Sequence, residues 1–183
     1  LGECDAAATI LPLESMPGMS LMPANQDQVA AEVQLLTTLA GRELRLRNAL
    51  KPIYDQYEVI LIDCPPSLNM LTLNALVAAQ SVLIPMQCEY YALEGLSALV
   101  GTIEQIKVSV NATLEIEGIL RTMFDPRNNL ANEVSSQLIA HFGDKVFRTI
   151  VPRNVRLAEA PSFGKPVLQH DKDSRGALAY LAL

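Results

Sequence analysis

A chain of 183 residues, half of them apolar, is long enough to bury one sizeable core, and its acidic balance of 14 Lys and Arg against 20 Asp and Glu argues against a protein that coats nucleic acid by bulk charge. Any nucleic-acid contact must come from a few placed arginines. Cys4, Cys64 and Cys88 form neither a CxxC pair nor a metal-ligand spacing, which fits a reducing cytosol, and no apolar run approaches the ~18 residues of a membrane span.

The chain begins at Leu1 rather than Met and stops inside an apolar helical pattern at Leu183, so it reads as a fragment at both ends. Residues 1–18, with Pro12, Pro17 and Gly18, read as a connecting segment, and residues 20–23 as a short strand ended by Pro23 and Asn25. Val29, Val33, Leu35, Leu36 and Leu39 then recur at helical spacing, with Asn25 or Asp27 as N-cap and Gly41 as the stop. A second helix over 42–54 turns Leu44, Leu46, Ala49, Leu50 and Ile53 inward and keeps Arg42, Arg45, Arg47 and Lys51 on a solvated face.

Residues 59–62, Val-Ile-Leu-Ile, are apolar without alternation, which suits a strand covered on both faces in a parallel sheet. Asp63 places a carboxylate at the end of that run, and Pro65 and Pro66 stop it because neither can donate to a ladder. Ligands of open α/β sheets sit at the carboxyl edge, and an Asp there is a common oxygen ligand for Mg²⁺ in nucleotide hydrolases. Helix 69–79, strand 81–85 and a long helix 91–110 follow. Asn111 ends that long helix, and Glu89, Tyr90 and Tyr91 are expected to cap and pack its start. Then come strand 114–124, helix 129–142 with Val134, Leu138 and Ile139 inward, strand 146–151 and a last helix from Ser174. Strands alternating with helices of this length predict an α/β fold, a mostly parallel sheet with helices on both faces, in a single domain over 1–183.

Such a fold around a strand-end Asp calls for a phosphate loop, yet the sequence contains neither Gly-x-x-x-x-Gly-Lys-[Ser/Thr] nor Gly-x-Gly-x-x-Gly. Gly164-Lys165 is followed by Pro166, which lacks both the hydroxyl for Mg²⁺ and the N–H of an anion nest.

Four blocks carry a close resemblance: 57–67 (YEVILIDCPPS), 85–96 (PMQCEYYALEGL), 122–125 (TMFD) and 152–162 (PRNVRLAEAPS). In order and spacing they resemble the ParA/Soj chromosome-partitioning ATPases, P-loop NTPases of the deviant Walker A, SIMIBI type, from about Leu21 to the end. The family's P-loop strand with two lysines, and the next strand ending in Asp-x-Asp-Pro-Gln-Gly, have no counterpart here. The fold is therefore expected to be incomplete at its N-terminus, with either a gap in the sheet or a closed-up strand order, and the isolated chain is expected to aggregate or remain partly unfolded because strand edges lose their partners.

The resemblance implies roles by position. Asp63 corresponds to the Walker B aspartate, catalytic and Mg²⁺-organising, and Pro65, Pro66 and Ser67 fall in the switch loop. Pro152 and Asn154, with Met123 and Phe124, fall at positions that hold the nucleotide. Arg127 and Arg156 correspond to arginines of sequence-independent DNA binding. The implied function is a chromosome or plasmid partitioning ATPase, cytoplasmic and nucleoid-associated, that takes ATP and Mg²⁺ and forms an ATP-dependent homodimer. Its hydrolysis is stimulated by a ParB-like centromere-binding partner, and no membrane attachment is expected. A MinD-like division-site ATPase, or a binding module without hydrolysis, are the alternatives, although residues 174–183 lack a basic amphipathic pattern. Without a phosphate loop, the 183-residue chain alone is expected to be inactive.

Overall fold

The computed structural model describes residues 4–25, 28–38 and 40–183. Two compact units emerge, one from residues 1–80 and 105–114, the other from 81–104 and 115–183. The expected cap at Asp27, and the inward placing of Val29 and Leu39, lie outside the described residues or side chains.

In the first unit the expected connector has structure of its own. A 3-10 turn, Ala6–Thr9, is capped by Asp5, and β1 (Leu11–Pro12) pairs antiparallel with β2 (Ser20–Leu21). Helix α1 (Gln28–Thr37) buries Leu35 but leaves Val33 and Leu36 exposed. Gly41, with φ at +67°, takes the left-handed turn that ends this stretch, a conformation that is cheap for glycine alone. Residues 42–56 form helical pieces rather than one helix: α2 (Arg45–Leu50) lies between 3-10 segments, and Pro52 removes a donor where the α pattern gives way.

Helix α3 (Met70–Ala78) starts at Asn69, whose Oδ1 accepts from the Thr72 N–H at 3.0 Å. Asn74, 3% exposed, donates to the carbonyls of Arg42 and Met70 at 2.9 Å each and accepts from the Leu46 N–H at 3.1 Å, so a buried amide ties α2 to α3 with its groups satisfied. Asn111 does the same for the other end of α3, donating to the carbonyls of Leu76, Val77 and Ala79. Leu50, Ile53 and Ala78 form the small core between these helices.

The run at 59–62 corrects the sequence reading. It joins no ladder, and Val59 and Leu61 are 70% and 87% exposed while Ile60 and Ile62 are half-buried. A strand buried on both faces needs neighbours on both edges, and among the described residues none pairs with it.

The second unit holds a parallel sheet in the order β3 (Ser81–Gln87), β4 (Glu115–Phe124), β5 (Val146–Pro152). Helix α4 (Tyr90–Ser109) connects the first pair and α5 (Asn129–Phe142) the second. Both lay apolar stripes on the same core, in which Leu96, Val134 and Leu138 meet Ile84, Met86, Ile119 and Val146. Burying side chains of this size stabilises by ~1.5–3 kcal/mol each. Ile139, expected inward, is 48% exposed: the buried stripe of α5 is Ala131, Val134, Ser135 and Leu138, and the next residue turns about 100° away. Tyr90 and Tyr91 do not pack either, being 68% and 81% exposed.

Between β4 and β5 the register slips, pairing Ile119 with Val146 but Arg121 with Ile150. The buried Arg121 spans the irregularity, donating to the carbonyls of Phe147 at 2.8 Å and Arg148 at 3.4 Å and to Ser135 Oγ at 2.9 Å. Two short helices that the sequence did not announce follow β5: α6 (Val155–Glu159) and α7 (Val167–His170). The last helix, expected from Ser174, is α8 (Arg175–Leu181), and Ser174 is its N-cap, its hydroxyl accepting from the Ala177 N–H.

Candidate functional site

The carboxyl ends of β4 and β5 lie side by side, with Phe124 opposite Pro152. Pro152 has no N–H, and the next one along, of Arg153, donates to the Phe124 carbonyl at 3.1 Å. Asn154 follows in extended conformation and caps α6, its Oδ1 accepting from the N–H groups of Arg156 at 2.9 Å and Leu157 at 3.3 Å. With Oδ1 so engaged, Nδ2 is the atom of this side chain left to donate to a ligand.

Met123 has φ at +51°, the one positive φ outside glycine among the described residues. The register explains it: three residues on β4 pass from Arg121 to Phe124 while β5 advances only from Ile150 to Pro152, and the surplus residue bulges. Nothing in the sequence signals this strained backbone, yet it falls at the sheet edge where α/β folds take ligands. Met123, Phe124, Pro152 and Asn154, expected at the nucleotide, thus come together on one edge.

Arg127 and Arg156 are each matched by carboxylates. Arg127, 89% exposed at its side chain, donates from Nε to Asp125 Oδ1 at 2.9 Å and from its terminal nitrogen to Oδ2 at 2.7 Å. That grip, with the Arg127 backbone N–H on the same carboxylate, holds the Asp125 pKa down to about 2. Arg156 meets Glu159 at 2.8 Å and Asp171 at 3.3 Å, while His170 stacks on Phe163 and lies 3.6 Å from Glu159. The Arg156 guanidinium beside Glu159 pulls that carboxyl below its ordinary value.

Asp63 belongs to the first unit, on an exposed segment with Cys64, Pro65, Pro66 and Ser67. Burial, with the Asp63 charge second, raises the Cys64 thiol pKa. The loop is anchored where Thr72 Oγ1 donates to the Ser67 carbonyl at 2.7 Å. Among the described residues no group of three or more His, Cys, Asp or Glu could hold a metal ion. One exposed carboxylate nevertheless fits Mg²⁺, which keeps several waters and takes its other oxygens from phosphates.

A family model described as AAA domain matches residues 2–116. The ParA chromosome-partitioning protein of Myxococcus xanthus is 55% identical over 165 residues, 90% of this chain and 58% of that protein. The Soj sporulation initiation inhibitor of Bacillus subtilis is 48% identical over 174 residues, 95% of this chain and 68% of its own length. The chain belongs to the ParA/Soj family. An uncharacterised Pseudomonas putida protein is 62% identical over all 183 residues, which cover 69% of it. Among solved structures, cobyrinic acid a,c-diamide synthase of Mycobacterium smegmatis with bound ADP and magnesium superimposes with a TM-score of 0.78 at 34% identity, over 98% of this chain and 64% of that one. The cell-division ATPase MinD of Pyrococcus furiosus shares the fold, with a TM-score of 0.73 at 18% identity over 98% of this chain and 69% of its own. This ParA/Soj chain thus spans roughly 58–69% of the length of the relatives it matches. No helix among the described residues is long and apolar enough to cross a membrane.

Proposed function

We propose that the chain supplies the adenine-binding edge and the switch aspartate of a partitioning ATPase that binds ATP with Mg²⁺, dimerises on it and binds DNA without sequence preference. A centromere-binding partner of the ParB kind would stimulate hydrolysis. The observation that carries this reading is the meeting of Met123, Phe124, Pro152 and Asn154 at the carboxyl edge of β4 and β5. Phe124 and Pro152 offer apolar surface to a flat ring, and Asn154 Nδ2 offers a donor to its edge. Magnesium, when bound, would neutralise phosphate charge, with Asp63 contributing one oxygen and orienting water. Arg127 and Arg156 would add phosphate contacts to DNA, which accumulate across a dimer and fall with salt.

In a protein that joins this chain to a phosphate loop, Asp63→Ala should abolish ATP turnover while leaving nucleotide bound. Unchanged turnover would contradict the role of Asp63. Turnover by the 183-residue chain alone, lost on Asp63→Ala, would contradict the need for a phosphate loop.

A further inference from the structure

Arg121, in β4, is 6% exposed, and the oxygens its guanidinium reaches are neutral: Ser135 Oγ on α5 and the carbonyls of Phe147 and Arg148 on β5. Its Nε is buried with no hydrogen-bond partner among the described residues. Burial pulls its pKa down, so the charge is held here at a cost that an apolar side chain of similar length would avoid. A buried cation on neutral acceptors adds little stability; its consequence lies in what it holds in place.

Two offsets of opposite sense flank Arg121. From Ile119 to Arg121 β4 advances two residues while β5 advances four, Val146 to Ile150. From Arg121 to Phe124 β4 advances three while β5 advances two, Ile150 to Pro152. Phe147 and Arg148 lie in the surplus stretch of β5, and the terminal nitrogen of Arg121 gives their carbonyls a donor across the irregularity. Ser135 anchors the other arm of the fork to α5. A one-residue slip of β5 would set Val151 or Arg153 opposite Phe124 in place of Pro152, turn each β5 side chain to the other face of the sheet and shift Asn154 with it. We propose that Arg121 is the positioning residue of the adenine-binding edge: by holding the surplus carbonyls of β5 it fixes Pro152 opposite Phe124 and so presents Asn154 to the base. This role rests on the nucleotide reading of that edge and deepens it.

The test has two readouts, one of them free of ligand. Amide hydrogen exchange followed by NMR reads the Arg153 N–H, which the Phe124 carbonyl holds at 3.1 Å. Arg121→Met should speed that exchange about tenfold relative to the α5 amides and weaken adenosine, titrated into the labelled chain, about fivefold. Leu138→Val loosens the same core without removing a bond to β5, and should change each readout by less than about twofold. Either readout unchanged in Arg121→Met, or matched by Leu138→Val, would overturn the proposal and leave the adenine reading standing. No adenosine shift in the wild-type chain, with fast Arg153 exchange in Arg121→Met, would instead contradict the adenine reading and leave Arg121 as the residue that sets the edge. If Arg121→Met fails to fold, Arg121→Lys decides: it keeps the charge but loses the fork, so exchange and affinity should still change about threefold, and wild-type values would overturn the proposal.

Discussion

Arg127 closes on Asp125 with two side-chain hydrogen bonds, 2.9 and 2.7 Å long, while its own backbone N–H donates to the same carboxylate at 3.0 Å. The most exposed candidate for DNA binding is therefore already half neutralised. In a nucleotide-competent protein carrying this chain, Asp125→Asn should free the guanidinium and tighten DNA binding. Arg127→Glu or Arg156→Glu should weaken it and flatten the salt dependence by roughly one unit of slope for each arginine–phosphate pairing removed. ATP affinity should hold. An unchanged slope with lost ATP binding would move these arginines to the nucleotide site.

The same pair sets a pH dependence. The Asp125 pKa in the fold, about 2, lies below its ordinary value, so whatever the pair contributes is present at neutral pH and is lost as pH falls from the ordinary carboxylate range toward about 2. Carbon-13 NMR of the side-chain carboxyl should show this low midpoint, and Arg127→Ala should return it to the ordinary range. A midpoint indifferent to Arg127 would contradict the pairing.

Asn111 gives its amide to three backbone carbonyls at 2.8–3.2 Å while 8% exposed. Asn111→Ala leaves acceptors buried without a donor and should cost ~2–3 kcal/mol in denaturant unfolding. A loss under ~0.5 kcal/mol would mean that water replaces the amide.

Leu61, 87% exposed, makes a different case. Leu61→Lys should leave stability within ~0.5 kcal/mol and reduce concentration-dependent association, because a charge blocks pairing along an unpaired extended run. Sedimentation velocity at rising concentration reads it. Unchanged association would place the sticky surface elsewhere.

The second unit is readable in the sequence because its signals are local. The strand read at 81–85, two residues short of β3, helix 129–142 and the last helix from Ser174 follow from apolar periodicity within each segment. The run at 59–62 misleads because its composition reports what it could bury, not whether neighbours exist to bury it. The tyrosines at 90 and 91, expected to pack, mislead for the same reason. The bulge at Met123 and the register slip spanned by Arg121 are products of pairing between distant strands, which periodicity within one segment does not encode. The family blocks, by contrast, name Phe124, Pro152 and Asn154, and the strand ends bring them together.

The most direct measurement separates the two duties of Asn154. Asp in its place keeps Oδ1 to cap α6 but loses the Nδ2 donor, whereas Ala loses both and should cost a further ~0.5–2 kcal/mol of stability. Titrating adenosine into isotope-labelled chain should shift the Met123 methyl, the Phe124 ring and the Asn154 side-chain amide, saturating in the millimolar range expected of a base held without its phosphates (about −4 kcal/mol at 1 mM). The account predicts that Asn154→Asp abolishes these shifts without lowering the melting temperature. Shifts that persist in Asn154→Asp, or that fall away from residues 122–127 and 152–157, would contradict an adenine site at the edge of β4 and β5.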